Sequence, residues 1–188
     1  LLDHFGSDNA DDYIAGFPMH PHRGIETVTY MLKGSVTHRD SMGNEGTINT
    51  GDIQWMTAGG GIMHEEMPHA SAEGMGGFQL WVNLPAKLKM TKPRYQEVAA
   101  QNIPVVEKDG ARILIIAGNV EGIAGAVTEI YAEPNYLDVT LHSNSEFTHA
   151  IANGHTAFAY LFEGSAAFDD SGETIDKPML VVFHDGDF

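Results

Sequence analysis

The sequence contains no cysteine and is short of positive charge. Without thiols there are no disulfides, no thiolate nucleophiles and no cysteine-type zinc sites, a usage that fits a reducing compartment. Ten Lys and Arg stand against 26 Asp and Glu, a formal net charge of −16. A surface that acidic repels phosphate backbones and anionic lipid, which argues against direct binding to nucleic acid or membrane. No apolar run reaches the length of a membrane-spanning helix, and no long amphipathic helical pattern is present. What the chain has in quantity is glycine, 21 residues, with eight prolines in a length of 188. That is the chemistry of turns.

Short β-branched and aromatic runs recur between those turns: Thr27–Leu32, Gly34–His38, Gly51–Met56, Phe78–Leu84, Arg112–Ala117, Tyr136–Leu141, Thr156–Phe162, Ala166–Phe168 and Met179–Phe183. Their apolar residues do not follow a 3.6-residue period, and Lys33-Gly34-Ser35, Met42 to Gly46 and Thr50-Gly51-Asp52 read as hairpins or corners. The pattern predicts an all-β chain of sandwich or barrel type. A weak internal echo, Val28 to Val36 against Phe158 to Ala166 and Thr50 to Ile53 against Asp185 to Phe188, predicts two barrels in tandem. The expected division is residues 1–98 and 99–188, with Pro85–Val106 as a solvated connector carrying Lys87, Lys89, Lys92 and Arg94. The chain opens and stops in mid-pattern, so the second barrel is expected to be incomplete.

The chemistry is concentrated in the first half. His20-Pro21-His22 places two imidazoles two residues apart, which on a strand aims both at one face. His64-Glu65-Glu66 repeats the spacing, with His64 and Glu66 together and Glu65 opposite. If the two strands are neighbours, three imidazoles and one carboxylate converge, a donor set suited to Fe(II), Mn(II), Ni(II), Cu(II) or Zn(II). Glu26 shares the strand parity of His20 and His22 and competes for the carboxylate position, although it sits farther along the chain. His4, His38 and His69 lack a paired partner and are expected at the surface. His142, His149, His155 and His184 show no ligand spacing, so no metal is expected in the second half. Trp55 and Trp81 are expected to pack between strands, with a wall for a planar ligand as the sharper alternative for either. The Gly59-Gly60-Gly61 corner precedes no helix, which argues against a phosphate cradle.

These residues carry a resemblance. Gly16 to Glu26 with Gly34, and Gly51 to His64, resemble the two cupin motifs. More narrowly, His20-Pro21-His22-Arg23-Gly24-Ile25-Glu26-Thr27, Gln54 to Gly59, His64 to Pro68 with Glu66 and Met67, and Gln79 to Pro85 resemble the pirin family. The resemblance is specific from residue 1 to about 98 and fainter beyond. It implies two double-stranded β-helix (jelly-roll) barrels, the second degenerate, incomplete and without metal. It also implies one ion, Fe(II) first, held by His20, His22, His64 and Glu66, where cupins in general would use Glu26.

Two functions follow from that likeness. The first is a dioxygenase that opens the ring of a flavonol such as quercetin with O₂ and releases carbon monoxide, with Glu66 as ligand and base. The alternative is a non-enzymatic, metal-dependent and redox-responsive regulator that binds a transcription factor or a metabolic enzyme. The corresponding partners are a planar polyphenol and O₂, or a protein. A cytoplasmic location is expected, or a nuclear one in a eukaryote.

Overall fold

A computed structural model describes residues 1–132, 134–169 and 172–184. It divides into two compact units, Leu1–Glu146 and Phe147–Phe188.

The first unit is built from β1 (Leu2–Ser7), β2 (Phe17–His22), β3 (Ile25–Lys33), β4 (Ser35–Asp40), β5 (Glu45–Asn49), β6 (Ile53–Thr57), β7 (Ile62–Pro68), β8 (Met75–Asn83) and β9 (Arg94–Val98). It continues through β10 (Val105–Lys108), β11 (Ala111–Ala117), the short pair β12 (Asn119–Val120) and β13 (Ile123–Ala124), and β14 (Tyr136–Leu141). The first nine strands form two antiparallel sheets, ordered β1-β8-β3-β6-β9 and β2-β7-β4-β5, and β10-β11-β14 make a third. In the second unit, β15 (Phe158–Leu161) pairs with β18 (Met179–Val182), and β16 (Ser165–Ala166) pairs with β17 (Ile175–Asp176). The all-β expectation holds, and the two larger sheets are the jelly-roll layers.

Alternation on β3 shows how the layers meet. Thr29 and Met31 face the four-stranded sheet: Thr29 bonds Glu66 of β7, and Met31 packs with Val36 of β4 and Ile48 of β5. The intervening residues face the other way, and Tyr30 donates to Asp138 of β14 at 2.7 Å. One strand therefore serves two layers, because its side chains alternate across the sheet. Met31 is fully buried in a cluster with Tyr13, Val36, Ile48 and Met75. Met31→Ala should leave a cavity and cost about 2–5 kcal/mol. Urea unfolding checks this as a lower midpoint with an unchanged slope.

The stretch Pro85–Val106 is not a free connector. It contains β9, which pairs residue by residue with β6 from Ile53↔Val98 to Thr57↔Arg94 and completes the five-stranded sheet. Lys89 Nζ donates to the Gly24 carbonyl at 2.9 Å and to Asn83 Oδ1 at 2.7 Å, and Arg94 bonds Glu129. Basic composition suggested solvent, but these cations answer local acceptors. The boundary read at 98/99 falls between β9 and the 3₁₀ turn Ala100–Asn102, whereas the compact units separate at 146/147. The echo at Asp185 to Phe188 lies outside the described residues.

Candidate metal centre

β2 and β7 are hydrogen-bonded neighbours, in register His20↔His64, Pro21↔Met63 and His22↔Ile62. That pairing converts two separate sequence motifs into one cluster. The ligand atoms of His20, His22 and His64 all lie within 4.8 Å of one another. Ring centroids are 4.5, 4.8 and 4.9 Å apart, and His20 Nε2 is 3.0 Å from His22 Nε2. Two nitrogens bound at right angles to one ion, each at about 2.1 Å, are about 3.0 Å apart. The spacing fits.

The hydrogen bonding fits as well. His20 Nδ1 lies 2.9 Å from the Pro18 carbonyl, an acceptor only, so Nδ1 carries the proton and Nε2 of the neutral ring holds a lone pair. His64 is 1% exposed, and neither ring nitrogen has a hydrogen-bond partner. A buried imidazole left that way is costly unless something else occupies its lone pair. Burial, reinforced by His20, draws His22 down to a pKa of about 4. Burial, with His20, His22 and His38 adding to it, draws His64 down to about 3. Both rings are therefore neutral near pH 7, the form that ligates a cation.

Glu66 lies beside the triad. It is buried, its Oε1 accepts from Thr29 Oγ1 and Gln79 Nε2, each at 3.4 Å, and its Oε2 is 3.9 Å from His64 Nε2. Burial pushes its carboxyl upward, opposed by His20, Thr29 and Gln79. Glu65 sits on the opposite parity and approaches Arg39 at 3.9 Å.

Glu26 goes elsewhere. It is on β3, fully buried, and takes a 2.7 Å bond from Thr57 Oγ1 on the face shared with Tyr30. Between His22 and Glu26 the chain leaves the four-stranded sheet and enters the five-stranded one. Gly24, with φ +71°, makes the corner. Parity counted along the sequence does not survive a change of sheet. Glu26→Gln is expected to leave metal content unchanged by elemental analysis, and complete loss of metal would place the ion on Glu26.

His38 corrects the reading from the sequence. It is 1% exposed, on the inward parity of β4 with Val36 and Asp40, opposite Glu66 in register. Its Nε2 is 2.8 Å from Glu97 Oε1, and its ring stands 5.5 Å from that of Tyr95. The lack of a paired histidine suggested a surface residue. The alternation of Ser35, Thr37 and Arg39 with Val36, His38 and Asp40 was the signal that placed it inside. His4 and His69 are exposed, as are His142, His155 and His184, while His149 is half-buried. The two tryptophans separate: Trp55 is buried, and Trp81, 39% exposed, sets its ring edge-on to His22 at 5.1 Å.

Comparison with known proteins decides the family. The pirin family model matches residues 1–82. A pirin-like protein of Caulobacter vibrioides is 44% identical over 189 residues, spanning 100% of this chain and 68% of the relative. The chain belongs to the pirin family. A tomato (Solanum lycopersicum) pirin-like protein is 52% identical over 160 residues, with 85% of this chain and 54% of that one covered. The crystal structure of quercetin 2,3-dioxygenase from Acinetobacter baumannii superposes with a TM-score of 0.81 at 39% identity, covering 89% of this pirin and 59% of that chain. This pirin thus spans between about half and two thirds of these relatives. Among its described residues, no helix is long and apolar enough to cross a membrane.

Proposed function

We propose that this pirin is a dioxygenase that opens the ring of a flavonol such as quercetin, with one divalent ion, Fe(II), held by His20, His22, His64 and Glu66. The observation that carries the reading is the triad of clustered imidazoles with Glu66 beside it and the Trp81 ring at its edge. The similar Acinetobacter structure named as a quercetin dioxygenase supports the substrate class. When bound, the ion acts as a Lewis acid and lowers the pKa of a hydroxyl brought to it.

The protein's own residues supply position and proton handling. The Pro18 carbonyl fixes the His20 tautomer and ring orientation, as second-sphere partners of ligating histidines do. Trp81, half-exposed beside His22, offers a flat apolar wall against which a planar polyphenol can stack. Thr29 and Gln79 hold Glu66 Oε1 and leave Oε2 on the side of His64. Glu66 Oε2 is the acceptor for the substrate hydroxyl proton, and its raised affinity for a proton suits that task.

The test is anaerobic loading of the full chain with Fe(II), followed by quercetin absorbance, O₂ uptake and carbon monoxide release. Trp81→Ala should raise KM for quercetin about 10-fold with a smaller change in kcat, while Trp81→Phe should restore most of the affinity. A fully metallated protein that consumes no quercetin would overturn the enzymatic reading and favour metal-dependent regulation of a protein partner.

A further inference from the structure

A cavity of about 510 Å³ opens at the β4–β5 end of the barrel, lined by His38, Gly43, Asn44, Glu45, Tyr95 and Glu97. None of the three clustered histidines lines it, so it is separate from the metal centre. We propose that it binds a small organic cation carrying an ammonium or guanidinium group.

Its lining is rich in acceptors. Glu97 presents a carboxylate that is 53% exposed, held by Gln54 Nε2 at 3.1 Å. Asn44 commits its side-chain nitrogen to Asp40 Oδ2 at 2.7 Å, which leaves its oxygen for a ligand. Glu45 adds a second carboxylate, moderated by Arg39 at 3.1 Å. No Lys or Arg lines the space, and the net charge of −16 favours cations around it.

The feature that calls for an occupant is His38. Its side chain is 1% exposed and lines the cavity, yet neither ring nitrogen makes a hydrogen bond. The 2.8 Å approach of Nε2 to Glu97 Oε1 is off the N–H direction. A neutral imidazole keeps one acceptor nitrogen in either tautomer, so an N–H donor that bridges His38 and Glu97 would satisfy both. Tyr95 sets its ring 5.5 Å from that of His38, adding an aromatic face that attracts cations. Gly46 lies against this pair: a Cβ there would come within 2.6 Å of His38 Nε2 and 3.3 Å of Glu97 Oε1. The volume is far larger than an inorganic ion needs and suits a molecule.

Isothermal titration of the full chain with agmatine and with putrescine tests this, with 1,4-butanediol as the uncharged control. At least one amine should bind saturably with a dissociation constant on the order of 1 mM or tighter, and the diol should not. Glu97→Gln, which removes the charge, and Gly46→Ala, whose methyl would displace His38 and Glu97, should each weaken binding at least about 10-fold. Chelator treatment that empties the metal centre should leave amine binding unchanged. The proposal is overturned by absence of saturable binding, by equal binding of the diol, by affinity indifferent to both variants in folded protein, or by loss of binding on chelation. Nickel(II) taken up through Glu97 while neither amine binds would likewise overturn it, in favour of a metal site.

Discussion

His64→Ala is expected to weaken metal binding by at least about 100-fold, so that the purified protein falls from about one equivalent of metal to almost none. Of the three clustered imidazoles, His64 is the most deeply buried, and it is the one whose two nitrogens are both unpartnered. Its removal opens the position opposite His20 and leaves two histidines and Glu66, too few donors to complete the shell. The contrast is His69→Ala. His69 lies five residues along the chain, is exposed, and bonds Thr37 Oγ1 at 2.8 Å. Its loss should leave metal content at the wild-type value by elemental analysis. Equal metal in the two variants would remove the assignment of this cluster.

The second large effect, on the proposed dioxygenase reading, is on turnover. Glu66→Asp keeps the charge and shortens the side chain by one methylene. The carboxylate then loses reach toward His64 and cannot hold its bonds to Thr29 and Gln79, both already 3.4 Å long. Metal content should fall by less than about half, because all three imidazoles remain and a carboxylate, though shorter, is still beside them. The rate of quercetin consumption should fall about 100-fold or more, the size of effect typical when a positioned base is displaced. Single-turnover absorbance on protein of measured metal content separates the two. If activity simply tracks metal occupancy, Glu66 acts only as a ligand.

Much of the candidate metal centre could be read from local spacing. Two donors separated by one residue share a face on any strand, so His20 with His22 and His64 with Glu66 needed only the assumption that both segments are extended. Glu65 was excluded by the same parity. Glu26 could not be, because parity is defined within one strand, and the corner at Gly24 begins a new strand in another sheet. Trp81 and Gln79 were placed together on one face of β8, but which face looks inward depends on pairing with β3. That pairing sets Gln79 beside Thr29 and Trp81 beside Thr27, on the side of Glu66.

The sequence by itself determined the strand-and-turn class, the pairing of candidate donors within each motif and the resemblance to pirins. These rest on alternation and on short motifs, which are properties of consecutive residues. Tertiary structure alone decided that β2 lies against β7, that β9 closes the five-stranded sheet from within a basic and proline-bearing stretch, and that His38 is buried opposite Glu66 beside Glu97. Each of these depends on hydrogen-bond register between segments far apart in the chain. Register is set by which apolar faces can be buried together, and no single segment carries that information.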